Sequence, residues 1–389
     1  MRRSSRNRKR QGLLASAQAL AALGWALGLS SCAGPNLRPG YASPEPVFQR
    51  EWSLSTRTRT TLAGERGVEF SNPVFWENTL IFGTSEAGLV AVFPSLGGQV
   101  RWTLPIRGGA VSELTLEGSQ VYFGGGDGFI YAVNAETGRV QWRYEVKNPK
   151  ISRPTVFGGK LFVTTSDDVL YALEASSGHW LWHYKRRSAP AASIHNASAP
   201  WTDGTQVVAG TSDGYVVVLT AAEGRLKSEK KLSTRLKFTD VDAGVVADSG
   251  LWLVPSYDGD LFALKPQSLE TVWKFEAGGA RSIAVDGEKL FLSSSDGWTY
   301  ALEKATGKLL WKFQLDGGVP TSPVLTDSWV IVGSSYQYLY ALDRRTGELR
   351  DRWNVGYGSG FSGGLAYDPK TRFLFAVSGA ANLFSFKVR

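Results

Sequence analysis

One cysteine, three histidines and a recurring aspartate are the residues of this chain whose chemistry has to be explained first. Cys32 ends the run Leu29-Ser30-Ser31-Cys32. Ahead of it, Arg2, Arg3, Arg6, Arg8, Lys9 and Arg10 form a charged start, and Leu13 to Ser30 an apolar stretch of mostly Ala, Leu and Gly. This is the layout of a secretory signal, with a cysteine where the small-residue cleavage site would end. It resembles a lipobox, whose cleavage would leave Cys32 as a lipidated N-terminus. The plainer alternative is a single-span anchor, since about 18 apolar residues just cross a bilayer.

The histidines and aspartates offer less. His179 and His183 are four apart, but they flank a turn-to-strand segment, where that spacing puts side chains about 13 Å apart, too far to share a zinc ion. His195 stands alone. No H-E-x-x-H or Walker A segment is present. Asp127, Asp213, Asp258 and Asp296 each precede Gly and read as turn formers. Calcium at Asp258-Gly259-Asp260 lacks the further ligand series that an oxygen cage needs. Neither a catalytic set nor a metal set emerges, and no cofactor is expected.

Net charge points no further. The formal charge is +8, but six positive residues sit before Cys32, in a leader without Asp or Glu; removing them leaves +2. Nucleic acid is therefore not an expected partner. A lipidated Cys32 leaves no thiol for a disulfide, so stability must come from packing, for which 14 Trp, 14 Tyr and 19 Phe are ample. Residues 1–31 read as the signal peptide. Residues 32–47, with Pro35, Pro39, Pro44 and Pro46, read as an extended tether.

From Phe48 to Arg389 the chain is a repeat array. The clearest unit runs from Asp127 to Trp142 and returns at Asp167–Trp182, Asp258–Trp273 and Asp296–Trp311; weaker copies are 86–102, 213–228 and 336–351. The turn positions Gly98, Gly138, Gly178, Gly224, Leu269, Gly307 and Gly347 are spaced 40, 40, 46, 45, 38 and 40 residues apart. Each unit has an Asp-Gly turn, an unbroken apolar strand such as Ile130–Val133, a Thr-Gly turn and a strand ending in Trp. A hairpin lies upstream, as at 154–163 and 323–332. Four strands in about 40 residues predict an all-β chain, an eight-bladed β-propeller of four-stranded antiparallel blades. Seven units are visible; the eighth blade must join Asn382–Phe386 to the N-terminal strand around Glu51–Leu54, which closes the ring and removes exposed edges.

Trp102, Trp142, Trp182, Trp273 and Trp311 share one offset, four residues after the turn position. A fixed offset argues for a structural pin between blades rather than a ligand-binding row. Burying an indole of roughly 200 Å² is worth on the order of 5 kcal/mol as an upper estimate.

The unit Ala132-x-x-x-x-Thr137-Gly138-x-x-x-Trp142 resembles the tryptophan-docking repeat of quinoprotein propellers, over nearly all of the chain after the leader. Two families share that repeat. PQQ-dependent quinoprotein dehydrogenases use PQQ and calcium, are usually longer, and often carry an adjacent-cysteine disulfide that this chain cannot make. The BamB family of outer-membrane assembly lipoproteins is similar in length, lipobox, tether and blade number. Thr239-Asp240-Val241-Asp242, followed by Gly250-Leu-Trp-Leu-Val and 257–264, resembles one BamB segment; Ile194-His-Asn-Ala-Ser-Ala-Pro200 resembles another.

That resemblance implies a non-enzymatic scaffold, lipid-anchored in the outer membrane and facing the periplasm, a monomeric propeller within a hetero-complex. Its loops would dock on the POTRA domains of the barrel-inserting subunit BamA, with Asp240 and Asp242 as acidic contacts, Ile194 as an apolar one, and His195 beside it. Unfolded outer-membrane proteins would be further partners. The chain departs from the family at Ala192-Ser193-Ile194-His195, where BamB proteins have Leu-Ser-Leu-Arg; the permanent charge and donor fork of Arg are lost. The two longest repeat spacings bracket the same region, where Ser228 replaces the Trp and extra residues accumulate in 185–197 and 227–238. Insertions in a propeller fall in face loops, where partners bind. The alternative functions are a quinoprotein dehydrogenase-like enzyme and an unrelated periplasmic binding lipoprotein.

Overall fold

The computed structural model describes residues 45–56, 71–148, 150–186, 197–232, 241, 244–257 and 259–389. The chain divides into units 1–42 and 43–389, and every described strand belongs to the second. Those strands form eight four-stranded sheets, each an antiparallel meander, as the repeat predicts. The blades are 74–104, 115–145, 155–185, 201–231, 246–276, 280–314, 324–354, and last 365–388 joined by Phe48–Ser55. In that closing blade Phe48 pairs with Val388 and Ser55 with Asn382, so the two ends of the array share one sheet. Apart from the single 3-10 turn Pro94–Leu96, the described residues contain no helix.

The two middle strands of each blade are apolar at successive positions because both of their faces are covered. Phe129–Asn134 and Tyr338–Asp343 are buried at all four central positions. The outer strands instead alternate, as in Trp180–Lys185 and Leu309–Gln314, with one face on the neighbouring blade and one in water. Most hydrophobic clusters therefore lie between blades: one joins Ile81, Leu89 and Ala91 to Val121, Phe123 and Val133, and another joins Val208, Val216 and Val218 to Trp252, Val254 and Leu264.

The repeated tryptophans are the pins expected of them. Each indole N–H donates to a backbone carbonyl of the next blade: Trp102 to Ala135, Trp142 to Ala175, Trp182 to Ala221, Trp273 to Lys304 and Trp311 to Arg344, at 2.9–3.2 Å. Trp52, in the closing blade, does the same to Pro94 at 3.1 Å. The ring then lies on the turn glycine. At Gly138, φ is +70° and a Cβ would come within 2.6 Å of the Trp102 ring, so both backbone and space require glycine.

In such a meander, the second turn of each blade and the crossover to the next blade lie on one face of the ring; the first and third turns lie on the other. A recurring hydrogen bond ties the second turn to the crossover that enters its blade: Gly126 to Gly109, Ser166 to Lys150, Ser295 to Gly279, Ser335 to Val319 and Gly379 to Gly360. The glycine run 356–364 belongs to this pattern. Gly360 packs against the backbone of Ser334–Tyr336, where a Cβ would fall 2.3 Å from the Ser334 oxygen.

Candidate functional site

The crossovers that enter the fourth and fifth blades are long, running from Lys185 to Trp201 and from Lys231 to Val246; the one from Ser55 to Val74, into the first blade, is longer still. The described ends of the fourth- and fifth-blade crossovers lie on the second-turn face. The candidate docking residues Ile194, His195, Asp240 and Asp242 lie within them but outside the described residues, as does Cys32 near the start of the chain. The described residues show what holds the ends of these crossovers. One expectation changes: the lysine-rich run at 227–231 is not inserted loop but the outer strand Leu226–Lys231, paired along Tyr215–Thr220.

The chain leaves the third blade at Arg186. Its Nε donates to Asp213 Oδ2 at 2.7 Å, its Nη1 donates to Glu229, and its guanidinium lies 3.8 Å from the centre of the Tyr215 ring. Asp213 sits in the second turn of the fourth blade and Glu229 on its outer strand, three residues before Leu232. The Arg186 side chain is 13% exposed. Burial works against its charge, but the hydrogen bonds to Asp213 and Glu229 outweigh that and hold its proton more firmly than usual.

A second contact braces the same turn. Ser212 gives its backbone N–H to Asp168 Oδ1 at 2.9 Å and its hydroxyl to Asp168 Oδ2. Asp168 belongs to the second turn of the third blade and takes a left-handed φ of +58°. In five other blades the equivalent N–H goes to the crossover; here it goes to the neighbouring blade. Further along these crossovers, the Ser198 carbonyl accepts Thr164 Oγ1, and the Val241 N–H donates to Thr211 at 3.1 Å. Between these groups is a cavity of about 20 Å³, lined by Asp168, Tyr184, Ser198, Thr211 and Ser212 among others. That is room for one water, not for a ligand.

Other expectations about chemistry resolve simply. His179 lies in the third turn of its blade, 3.7 Å from Glu174, and His183 packs between the rings of Tyr171 and Trp180 on an outer strand. Among the described residues no three His, Cys, Asp or Glu side chains could hold one metal ion. Asp260 is taken by Lys274 at 2.7 Å, while Asp258 lies outside the described residues. Asp127 and Asp296 accept the hydroxyls of Tyr131 and Tyr300 as well as forming turns. The sequence reading that no G-x-S-x-G segment is present is wrong: 210–214 and 360–364 both spell it. A nucleophile elbow needs a strand leading into a helix; the first is a strand-to-strand turn and the second a crossover.

Sequence reasoning also missed Arg186, although the repeat carries its signal. Four residues after the Trp position the chain reads Ile106, Val146, Arg186, Leu232, Ala277, Leu315 and Val355. One charge stands in an otherwise apolar column.

Comparison with known proteins agrees with this architecture. The profile of a family described as outer membrane protein assembly factor BamB matches residues 90–312 and 257–359. Outer membrane protein assembly factor BamB of Escherichia coli strain K12 is 29% identical over 349 residues, covering 82% of this chain and 86% of that protein. The crystal structure of BamB from Moraxella catarrhalis superposes with a TM-score of 0.71 at 19% identity, over 88% of this chain and all of that one. Quinohemoprotein alcohol dehydrogenase from Comamonas testosteroni also superposes, with a TM-score of 0.68 at 13% identity, over 88% of this chain and 76% of that one. Ring shape is thus common to an assembly factor and an enzyme, and it does not separate them.

Proposed function

Since the chain belongs to the BamB family of outer-membrane protein assembly factors, we propose that it is a non-enzymatic scaffold of the barrel-assembly machinery at the outer membrane. In this reading residues 1–31 are a signal peptide, Cys32 carries the lipid, 32–47 form the tether, and the propeller stands in the periplasm. The propeller docks on the POTRA domains of the barrel-inserting subunit BamA and holds that subunit in a productive orientation for inserting outer-membrane proteins. Asp240 and Asp242 supply acidic contacts, with Ile194 and His195 on the neighbouring crossover.

The observation that supports this most is that two consecutive crossovers, into the fourth and fifth blades, are longer than the five others between Leu104 and Leu365. Loops grown together on a rigid ring are where a partner gains contact area without disturbing the core.

Co-purification from detergent-solubilised outer membrane tests the reading. The lipidated wild type should bring down the barrel-inserting subunit, and a folded Asp240→Ala/Asp242→Ala variant should not. Capture by neither would remove the scaffold reading; dye reduction on adding PQQ and calcium would replace it with the enzyme.

A further inference from the structure

We infer that Arg186 is a positioning residue for the partner-docking face: it ties the start of one long crossover to the strand that leads into the next. This rests on the docking role proposed above. Three observations converge on it. First, it breaks the repeat. In six other blades the residue at this slot is apolar, and Val146, Leu232, Ala277 and Leu315 are buried there. Those four give their backbone N–H to the carbonyl of Gly128, Gly214, Gly259 and Gly297 respectively. Closing the ring at this slot therefore needs no charge.

Second, the partners of Arg186 lie on two different elements of the next blade. Asp213 is in the turn that Ser212 and Asp168 also brace, and Glu229 is in the outer strand running to Leu232. Tyr215 receives the guanidinium face at 3.8 Å and has Lys231 at 5.8 Å. A forked, planar cation can hold two carboxylates and a ring at fixed angles, which a lysine cannot. Third, the network sits where crossover 186–200 leaves its blade and only a few residues from where the next crossover begins. A shift in Arg186 is thereby transmitted to the starting point of both.

The test replaces the arginine with the residue that the repeat itself uses. Arg186→Val should fold and unfold like the wild type, because valine serves this slot at Val146 and water can solvate the partly exposed Asp213 and Glu229. Its affinity for the detergent-solubilised barrel-inserting subunit should nonetheless fall about tenfold. Arg186→Lys should not restore it, and Glu229→Gln, which leaves the slot untouched, should give a smaller loss in the same direction. Full affinity in a folded Arg186→Val would overturn the inference while leaving the docking proposal standing. If Arg186→Val misfolds, full affinity in Glu229→Gln would overturn it equally. No binding by the wild type would remove both.

Discussion

Where the second blade meets the third, Trp142 lays its ring on Gly178 and gives its indole N–H to Ala175. Where the fourth blade meets the fifth, Ser228 stands in the tryptophan's place and Leu269 in the glycine's. The two exceptions fit each other. Leu269 holds a left-handed φ of +57°, costly for a side chain with a Cβ, yet it is only 4% exposed and packs with Val208, Val216 and Val218. A leucine there would strike the indole in a regular seam; without the indole it fills the gap. Lys230 adds hydrogen bonds to the Leu269 carbonyl at 2.6 Å and to Thr271 at 2.9 Å. The seam between the seventh and closing blades departs differently: Asp351 occupies the tryptophan slot and accepts the N–H of Phe48 at 2.9 Å. What repeats is thus the closing of each seam rather than any one residue that closes it.

The largest expected effect comes from breaking a regular seam. Trp182→Ala removes a buried indole and its hydrogen bond to Ala221, and should cost about 3–5 kcal/mol in denaturant unfolding. Ser228→Ala, at the same slot, should stay within roughly 0.5 kcal/mol. An equal loss at the two positions would erase the distinction. A smaller effect should follow from rebuilding the exceptional seam. Ser228→Trp alone should destabilise by about 1–3 kcal/mol through overpacking against Leu269. Adding Leu269→Gly should recover most of that, and a double-mutant cycle would read the coupling. Purely additive losses would mean the two residues are not complementary.

Acid should give the smallest signal. In the regular seam between the fifth and sixth blades, the Lys304 carbonyl accepts the indole of Trp273, and its ammonium lies 2.7 Å from Asp248. Hydrogen bonds from Lys304 and Ser249 hold the Asp248 carboxyl below the usual carboxylate range. A folded-state pKa depressed in this way contributes stability that is present above the unfolded value of about 3.9 and is lost as pH falls through the folded one. Wild type minus Asp248→Asn should therefore show a stability difference at neutral pH that shrinks below about pH 4. A difference that does not change with pH would rule the ion pair out.

The fold was legible in the sequence because its signals are local and recur. An Asp-Gly turn, an apolar run and a Trp four residues past a turn, repeated about every 40 residues, determine strand order, blade number and pins together. Trp52 was harder to see as a pin. Its blade is built from the two ends of the chain, so no turn precedes it. The Lys227–Lys231 run read as solvated loop because an outer strand with one face in water has the composition of a loop. Arg186 was hidden for another reason. Its partners Asp213, Tyr215 and Glu229 lie 27 to 43 residues away, and only alignment of the repeats exposes the misplaced charge.

The closing blade has a mechanical consequence. Phe48 enters on the face opposite the second turns, pairing with Val388 while Arg389 donates to the Val47 carbonyl. Its partner strand is held at the other end, through the turn from Val377 to Asn382. Tension between the upstream chain and the second-turn face would thus pull the paired strands at opposite ends. The ladder from Phe48 to Ser55 would be loaded in shear, all its bonds sharing the force, instead of being unzipped one bond at a time. The sheet that closes the ring is thereby suited to carrying tension across it.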